Sequence, residues 1–92
     1  MNITEAAGTY FDGLLRRIQA PQGTVIRLVP DSGHLSLETD TPQPEDKVFK
    51  TFDNGGKQVL AVTRQVDAML SHRTLDVETT DDGVTLVLMT EH

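Results

Sequence analysis

The residues best suited to chemistry lie in one short segment, Asp31-Ser32-Gly33-His34, which separates two apolar runs. Asp31 and His34 supply a carboxylate oxygen and an imidazole nitrogen, two ligand types that iron(II) and zinc accept. Further ligands would come from elsewhere in the chain, from Asp76, Glu78 or His72. The same segment is also typical of a β-turn, in which the Asp side chain accepts hydrogen bonds from nearby backbone N–H groups and Gly takes a positive φ. The sequence favours this structural interpretation over the metal site.

The spacing of nucleophiles and bases gives little support to catalysis. Ser32 and His34 are close in sequence, but a nucleophile and its base need a third, orienting group, and the sequence does not place one. The chain contains no phosphate-binding loop, zincin pattern or dinucleotide fingerprint. We therefore expect a protein that is not an enzyme and that uses no cofactor.

The chain contains no cysteine. This excludes disulfides, zinc ribbons, thiol nucleophiles and ligation of an iron–sulfur cluster by cysteine. Clusters prefer sulfur ligands, so a carboxylate and an imidazole do not rebuild such a site. The remaining metal hypothesis is a single iron or zinc ion held by Asp31 and His34.

Length and charge limit the classes of partner. The 92 residues suit one domain, spanning residues 1–92. With 8 basic and 14 acidic residues the net charge is −6, which disfavours nucleic acid because a binder must neutralise phosphates. The apolar runs are far shorter than the ~20 residues that cross a bilayer, and no basic segment followed by an apolar one opens the chain. We expect a cytoplasmic protein whose partners are other proteins or a second copy of itself.

An amphipathic helix opens the chain. Its apolar residues recur at the spacing that lines one helix face: Ile3, Ala6, Ala7, Tyr10, Phe11, Leu14, Leu15 and Ile18. Thr4 is placed to cap its N-terminus, and the segment Ala20–Gly23 is expected to end it. We expect the helix to be the main structural brace, with four side chains buried against the sheets: Tyr10, Phe11, Leu14 and Leu15.

Short strands follow the helix. Four segments have the β-branched or alternating pattern of strands: Val25–Val29, Leu35–Glu38, Val48–Phe52 and Lys57–Val62. The acidic, proline-containing segment from Glu38 to Asp46 is interpreted as a solvated connection, and Asp53–Gly56 as a turn.

A short helix and a hairpin complete the chain. Thr63 is placed to cap a helix over Arg64–Ser71, and we expect its inward face to consist of Val66, Met69 and Leu70. Two alternating strands then flank Asp81-Asp82-Gly83, with Asp-Gly at the hairpin tip. The element order predicts an α+β fold: an N-terminal amphipathic helix packed on short mixed or antiparallel sheets, a short second helix and a C-terminal hairpin.

Three segments resemble the HesB/IscA-like family, whose best-known members are A-type iron–sulfur carriers. "NITEAAGTYFDGLL" is similar to the family's opening helix, with its preceding Thr, paired alanines and double leucine. "IRLV" follows, and "PEDKVFKTFDNGGKQVLAVTRQVDAMLSHRTLDVE" is similar to the family's Asp-x-Val-Phe, Val-rich strand, short helix and final Leu-Asp-Val. The resemblance covers nearly the whole chain.

The resemblance implies a cluster site that this chain lacks. Family carriers use one cysteine in a Cys-Ser-Gly turn and two in a Cys-Gly-Cys tail, whereas this turn reads Asp31-Ser32-Gly33 and the sequence closes with "LVLMTEH". We therefore expect a HesB/IscA-like domain that does not carry a cluster and instead serves as an accessory or interaction module related to iron–sulfur cluster biogenesis. The alternative is an iron- or zinc-binding protein that uses Asp31 and His34.

Overall fold

The computed structural model describes residues 1–52 and 56–90. Their elements are, in chain order, β1 (Asn2–Ile3), α1 (Glu5–Arg17), β2 (Val25–Asp31), β3 (His34–Asp40), β4 (Lys47–Lys50), β5 (Gln58–Val62), α2 (Arg64–Met69), β6 (Arg73–Thr80) and β7 (Gly83–Thr90). The structure is α+β, and the predicted order of elements is preceded by the short strand β1, which the sequence did not indicate. Neither described helix has the length and apolar content needed to cross a membrane.

The strands of the described residues form two mixed sheets. Sheet I has the order β1-β6-β7, with β1 parallel and β7 antiparallel to β6. Sheet II has the order β3-β2-β5-β4, in which β2 and β5 are parallel and the outer strands β3 and β4 are antiparallel to their neighbours. The prediction of mixed sheets is confirmed.

Helix α1 begins at a conventional cap. The Thr4 hydroxyl accepts a hydrogen bond from the Ala7 backbone N–H at 3.1 Å, and so satisfies one of the free donors of the first turn. Ile3 lies in β1 and not in the helix. The cap therefore stands where the chain leaves sheet I, and the Thr4 N–H donates to the Leu75 carbonyl of β6 at 3.0 Å.

The C-terminus of α1 lies earlier than the expected Ala20–Gly23 segment. Gln19 adopts a left-handed conformation with φ 55°, and its N–H donates to the Arg16 carbonyl, while the Ala20 N–H donates to the Leu15 carbonyl. This is the Schellman arrangement that satisfies the last carbonyls of a helix. Ile18 therefore falls at the cap and is 54% exposed, although its spacing had placed it on the apolar face.

The core lies between α1 and the sheets. Its buried members from the helix are Ala7, Phe11 and Leu15, and they belong to one cluster with residues of both sheets and α2: Ile3, Ile26, Leu28, Val59, Leu60, Val62, Val66, Leu70 and Leu75. Tyr10 and Leu14 were expected to be buried but are only partly so, and they pack against the edge of the cluster. The apolar face of the helix is thus narrower than its spacing indicated.

Helix α2 is capped as predicted but is shorter. The Thr63 hydroxyl accepts from the Val66 N–H at 3.2 Å, and the helix ends at Met69 instead of Ser71. Val66 and Leu70, four residues apart, share the buried face. The prediction that Met69 faces inward is wrong: Met69 is 60% exposed, because the adjacent position points about 100° away around the helix.

The remaining boundaries shift by one or a few residues. The fourth strand is Lys47–Lys50 and not Val48–Phe52, and the predicted turn at Asp53–Gly56 lies mostly outside the described residues. The C-terminal hairpin turns through Asp81 and Asp82, because Thr80 pairs with Gly83. Gly83, with φ 124°, is thus the first residue of β7 and not part of the tip.

Candidate functional site

The predicted turn is the tip of the β2–β3 hairpin. Asp31 pairs with His34, and the two residues between them, Ser32 and Gly33, have φ of 47° and 86°. Positive φ at both central positions is typical of a type I′ turn, whose twist matches that of antiparallel strands. The positive φ expected for Gly33 is observed, whereas the left-handed Ser32 was not anticipated.

Pro30 does not end β2 as the sequence suggested. It pairs with Leu35, next to the Asp31–His34 pair that closes the turn. Antiparallel pairs alternate between hydrogen-bonded and non-bonded positions, so a proline beside the bonded closing pair removes no ladder hydrogen bond to β3. The β2–β5 pairing covers only Ile26 to Leu28, and so Pro30 costs nothing on that side either.

Asp31 and His34 are brought together, and both are exposed. Directly opposite residues of an antiparallel pair project from the same sheet face, so the carboxylate and the imidazole are neighbours in space. The Asp31 carboxylate accepts a hydrogen bond from the Ser36 hydroxyl at 3.1 Å. The tip therefore brings together the two side chains predicted as metal ligands, one of which already has a local partner.

The other candidate ligands lie on different elements. Asp76 and Glu78 belong to β6 in sheet I, and His72 lies in the link between α2 and β6, with φ 66°. Across the described residues, no group of three or more His, Asp and Glu side chains is placed to hold a metal ion. Asp31 and His34 remain a predicted site with two protein ligands.

Asp76 instead connects the N-terminus of α1 to sheet I through hydrogen bonds. Its Oδ1 accepts from the Thr4 hydroxyl at 2.6 Å and from the Val77 N–H at 2.8 Å. The hydrogen bond from Thr4 and then the one from the Val77 N–H hold the pKa of Asp76 below its ordinary value, since both favour the charged carboxylate. This arrangement couples the helix cap to β6 and uses the carboxylate that had been considered as a ligand.

A partly buried ion pair crosses the outer face of sheet II. Arg27 donates from Nε to Asp46 Oδ2 at 2.9 Å and from Nη2 to Oδ1 at 3.2 Å, and from Nη1 to Glu38 at 2.9 Å. The Asp46 side chain is 3% exposed. The interpretation of Glu38 to Asp46 as a solvated connection is therefore wrong at both ends, because Glu38 lies in β3 and Asp46 is fixed against the sheet.

The charges of this pair are mutually stabilised. Burial by itself would raise the pKa of Asp46, but the hydrogen bonds from Arg27 and from the Gln43 N–H outweigh it, and the pKa is lowered. The hydrogen bond to Asp46 raises the pKa of Arg27. The sequence contained one signal for this pair: Arg27 interrupts an otherwise apolar strand, and a charged residue in an inner strand needs a partner.

A cleft of about 240 Å³ opens beside the link between α1 and β2. Its walls come from the end of the helix, the link and the start of β5: Leu15, Ala20, Pro21, Gln22, Gly23, Thr24, Val25, Lys57 and Gln58. Lys57 is the charged member of the lining, and its ammonium group already pairs with Asp12 at 3.0 Å. The cleft does not include the hairpin tip, and no arrangement of catalytic groups lies in it.

Comparison with solved structures identifies a similar fold. The structure is similar to a crystal structure of IscA with its 2Fe–2S cluster, with a TM-score of 0.58, 16% sequence identity, and coverage of 97% of this chain and 83% of that one. No family model matches the sequence, and no curated protein matches it. The chain therefore has an IscA-like α+β fold, and at this identity the likeness concerns the fold alone.

Proposed function

We propose that this chain is a non-enzymatic, cysteine-free IscA-like domain that acts near iron–sulfur cluster biogenesis as an accessory or interaction module. One observation carries the proposal: the IscA-like fold extends over 97% of a chain that has no cysteine. At the turn where the family resemblance places the first cysteine, this chain has Asp31 in a closed two-residue hairpin. The domain works in the cytoplasm, with proteins rather than nucleic acids or membranes as partners.

The physical basis of the proposal is that a protein domain binds a cluster and recognises other proteins through different features. Cluster binding depends on thiolates, whereas protein recognition depends on the complementarity and chemistry of the surface. We propose that this chain, with the fold but without the thiolates, contacts proteins that meet IscA-like surfaces. It does not compete with them for the cluster.

The test is a binding and transfer assay with IscA that carries its 2Fe–2S cluster. Fluorescently labelled chain is titrated with loaded IscA, and the rate of cluster transfer to an apo-acceptor is measured with and without the chain. We expect binding and a changed transfer rate, with no visible absorption on the chain after separation. An unchanged transfer rate together with an absence of binding would contradict the proposal.

A second function, binding of iron(II) or zinc, is favoured by one observation. Asp31 and His34 lie opposite each other at the exposed hairpin tip, and this proximity supports the proposal that the two side chains share one metal ion. A metal at one hundred times its dissociation constant would stabilise the fold by about 2.7 kcal/mol. Thermal melts with iron(II), zinc or chelator test this: a shift in the wild type that is lost in both Asp31→Ala and His34→Ala supports the metal site, and no shift excludes it.

A further inference from the structure

The edges of the two sheets differ in how they are protected. Exposed strand edges invite pairing with another chain, and proteins usually block them with charge, irregularity or short length. In the described residues, β1 is two residues long, β3 carries Glu38 and Asp40, and β4 is charged at both ends, with a register shift after Phe49. Each of these edges has at least one such protection.

Strand β7 has none of them. Its sequence, GVTLVLMT, runs for eight residues without a charged residue or proline, and its pairing with β6 is regular from Thr90 to Gly83. Val84, Leu88 and Met89 are 44%, 39% and 40% exposed. Val84 and Leu88 share one face of the sheet and Met89 the other, so a strand added at this edge would cover apolar side chains on both faces.

We infer that β7 is a self-association edge, at which β7 of a second copy adds antiparallel to extend sheet I across the two chains. Charge argues for this occupant. Each copy has a net charge of −6, so most approaches between copies are repulsive. The uncharged β7 lets two copies meet without opposing carboxylates, and main-chain hydrogen bonds supply the attraction.

Among the described residues, the charges at the two ends of β7 favour the antiparallel orientation. Asp81 and Asp82 form the turn at one end. At the other end the Arg73 guanidinium reaches the edge strand, where its Nη1 donates to Thr90 Oγ1 at 3.0 Å. Antiparallel pairing brings the acidic turn of each copy toward Arg73 of the other, whereas parallel pairing would place the two acidic turns together. The favoured arrangement is a closed, two-fold dimer.

The association is expected to be weak and reversible. An edge of eight residues is small beside the ~1,200 Å² or more that stable interfaces bury. The dimer should therefore form in a concentration-dependent way and dissociate on dilution, as measured by sedimentation velocity over a wide range of protein concentration.

The test places like charges near the two-fold axis. Val87 lies beside the midpoint of β7 and would face its own counterpart, so Val87→Lys and Val87→Glu should each remain monomeric at concentrations where the wild type dimerises. A mixture of the two variants should restore the dimer.

Thr85→Lys adds a charge to β7 at an exposed position and serves as a second variant that removes no apolar side chain. Thr39→Lys, an exposed position on the charged edge β3, is the matched control and should leave the wild-type dimer intact.

A wild-type chain that stays monomeric at all concentrations would overturn the inference, as would a dimer that all three β7 variants retain. Failure of the Lys and Glu variants to associate when mixed, with both shown to be folded by circular dichroism, would overturn the two-fold arrangement. The inference rests on the interaction role proposed above but is measured separately. A monomeric chain would leave the IscA binding assay unaffected, and a negative binding assay would leave the dimer in place.

Discussion

The Thr4 hydroxyl lies 2.6 Å from the Asp76 carboxylate and also accepts from the Ala7 N–H, so one side chain caps α1 and fastens it to β6. We predict that Thr4→Ala lowers the free energy of unfolding by about 1 kcal/mol, the usual cost of a lost N-cap. Urea denaturation measures the change. Thr4→Ser keeps the hydroxyl and is the control, and an equal loss in both variants would show that the hydroxyl is not responsible.

The buried carboxylate of Asp46 makes stability depend on acid pH. Its pKa is lowered in the folded state, so the unfolded chain binds more protons than the folded one at pH values between the folded pKa and the ordinary Asp value of about 3.9. The stabilisation is therefore complete above about pH 4 and is lost as pH falls through the folded pKa. Asp76, whose pKa is also lowered, acts in the same direction.

Asp46→Asn separates the contribution of this ion pair. At pH 7 the variant should lose on the order of 1 kcal/mol, because Arg27 loses one charged partner and keeps Glu38, and the variant's stability should fall less steeply between pH 5 and pH 2 (about the range in which paired carboxylates titrate). Denaturation at a series of pH values measures both. A parallel decline in the wild type and the variant would show that other carboxylates cause the acid sensitivity.

At the β2–β3 tip, backbone conformation should matter more than the ionisable side chains. Gly33→Ala places a side chain at φ 86° and should cost about 1 kcal/mol or more, whereas His34→Ala should stay within about 0.5 kcal/mol. Ser32→Asn should stabilise the turn by a few tenths of a kcal/mol, since Asn-Gly is preferred in type I′ turns. Thermal melts compare the three, and a loss in His34→Ala larger than in Gly33→Ala would reverse this order.

Adjacent leucines of α1 should differ in their contribution. Leu15 is 2% exposed, whereas Leu14 is only partly buried, so Leu15→Ala should cost roughly 2–5 kcal/mol and Leu14→Ala clearly less. Equilibrium unfolding distinguishes them. Equal losses would mean that the helix is rotated relative to the face described above.

The patterns that the sequence predicted well are local. The helix caps at Thr4 and Thr63 could be predicted because each is a side-chain oxygen just before residues with helical apolar spacing, which is a short-range signal. The two hairpins could be predicted from turn residues between alternating strands. These signals do not need knowledge of the tertiary fold.

The features that the sequence missed depend on contacts between distant residues. Two examples are the pairing of Arg27 with Asp46 and the parallel addition of β1 to β6. Each joins segments far apart in the sequence, and no local sequence pattern predicts that they meet. The helical spacing of apolar residues also predicted, wrongly, that Leu14 and Met69 are buried. This spacing identifies the apolar side of a helix, but it does not show how much of that side the neighbouring sheets cover. At the candidate site, the sequence predicted that Asp31 and His34 flank a turn but did not place a third ligand beside them.

The central claim, that this IscA-like chain does not hold an iron–sulfur cluster, is tested most directly by anaerobic reconstitution. Purified, untagged protein is incubated with iron(II), sulfide and reductant and then passed through gel filtration, and visible absorption and iron content are measured. We predict a colourless protein without stoichiometric iron, since no thiolate is present to replace solvent around the metal. A visible absorption band that survives gel filtration, with one cluster per chain or per dimer, would contradict the claim.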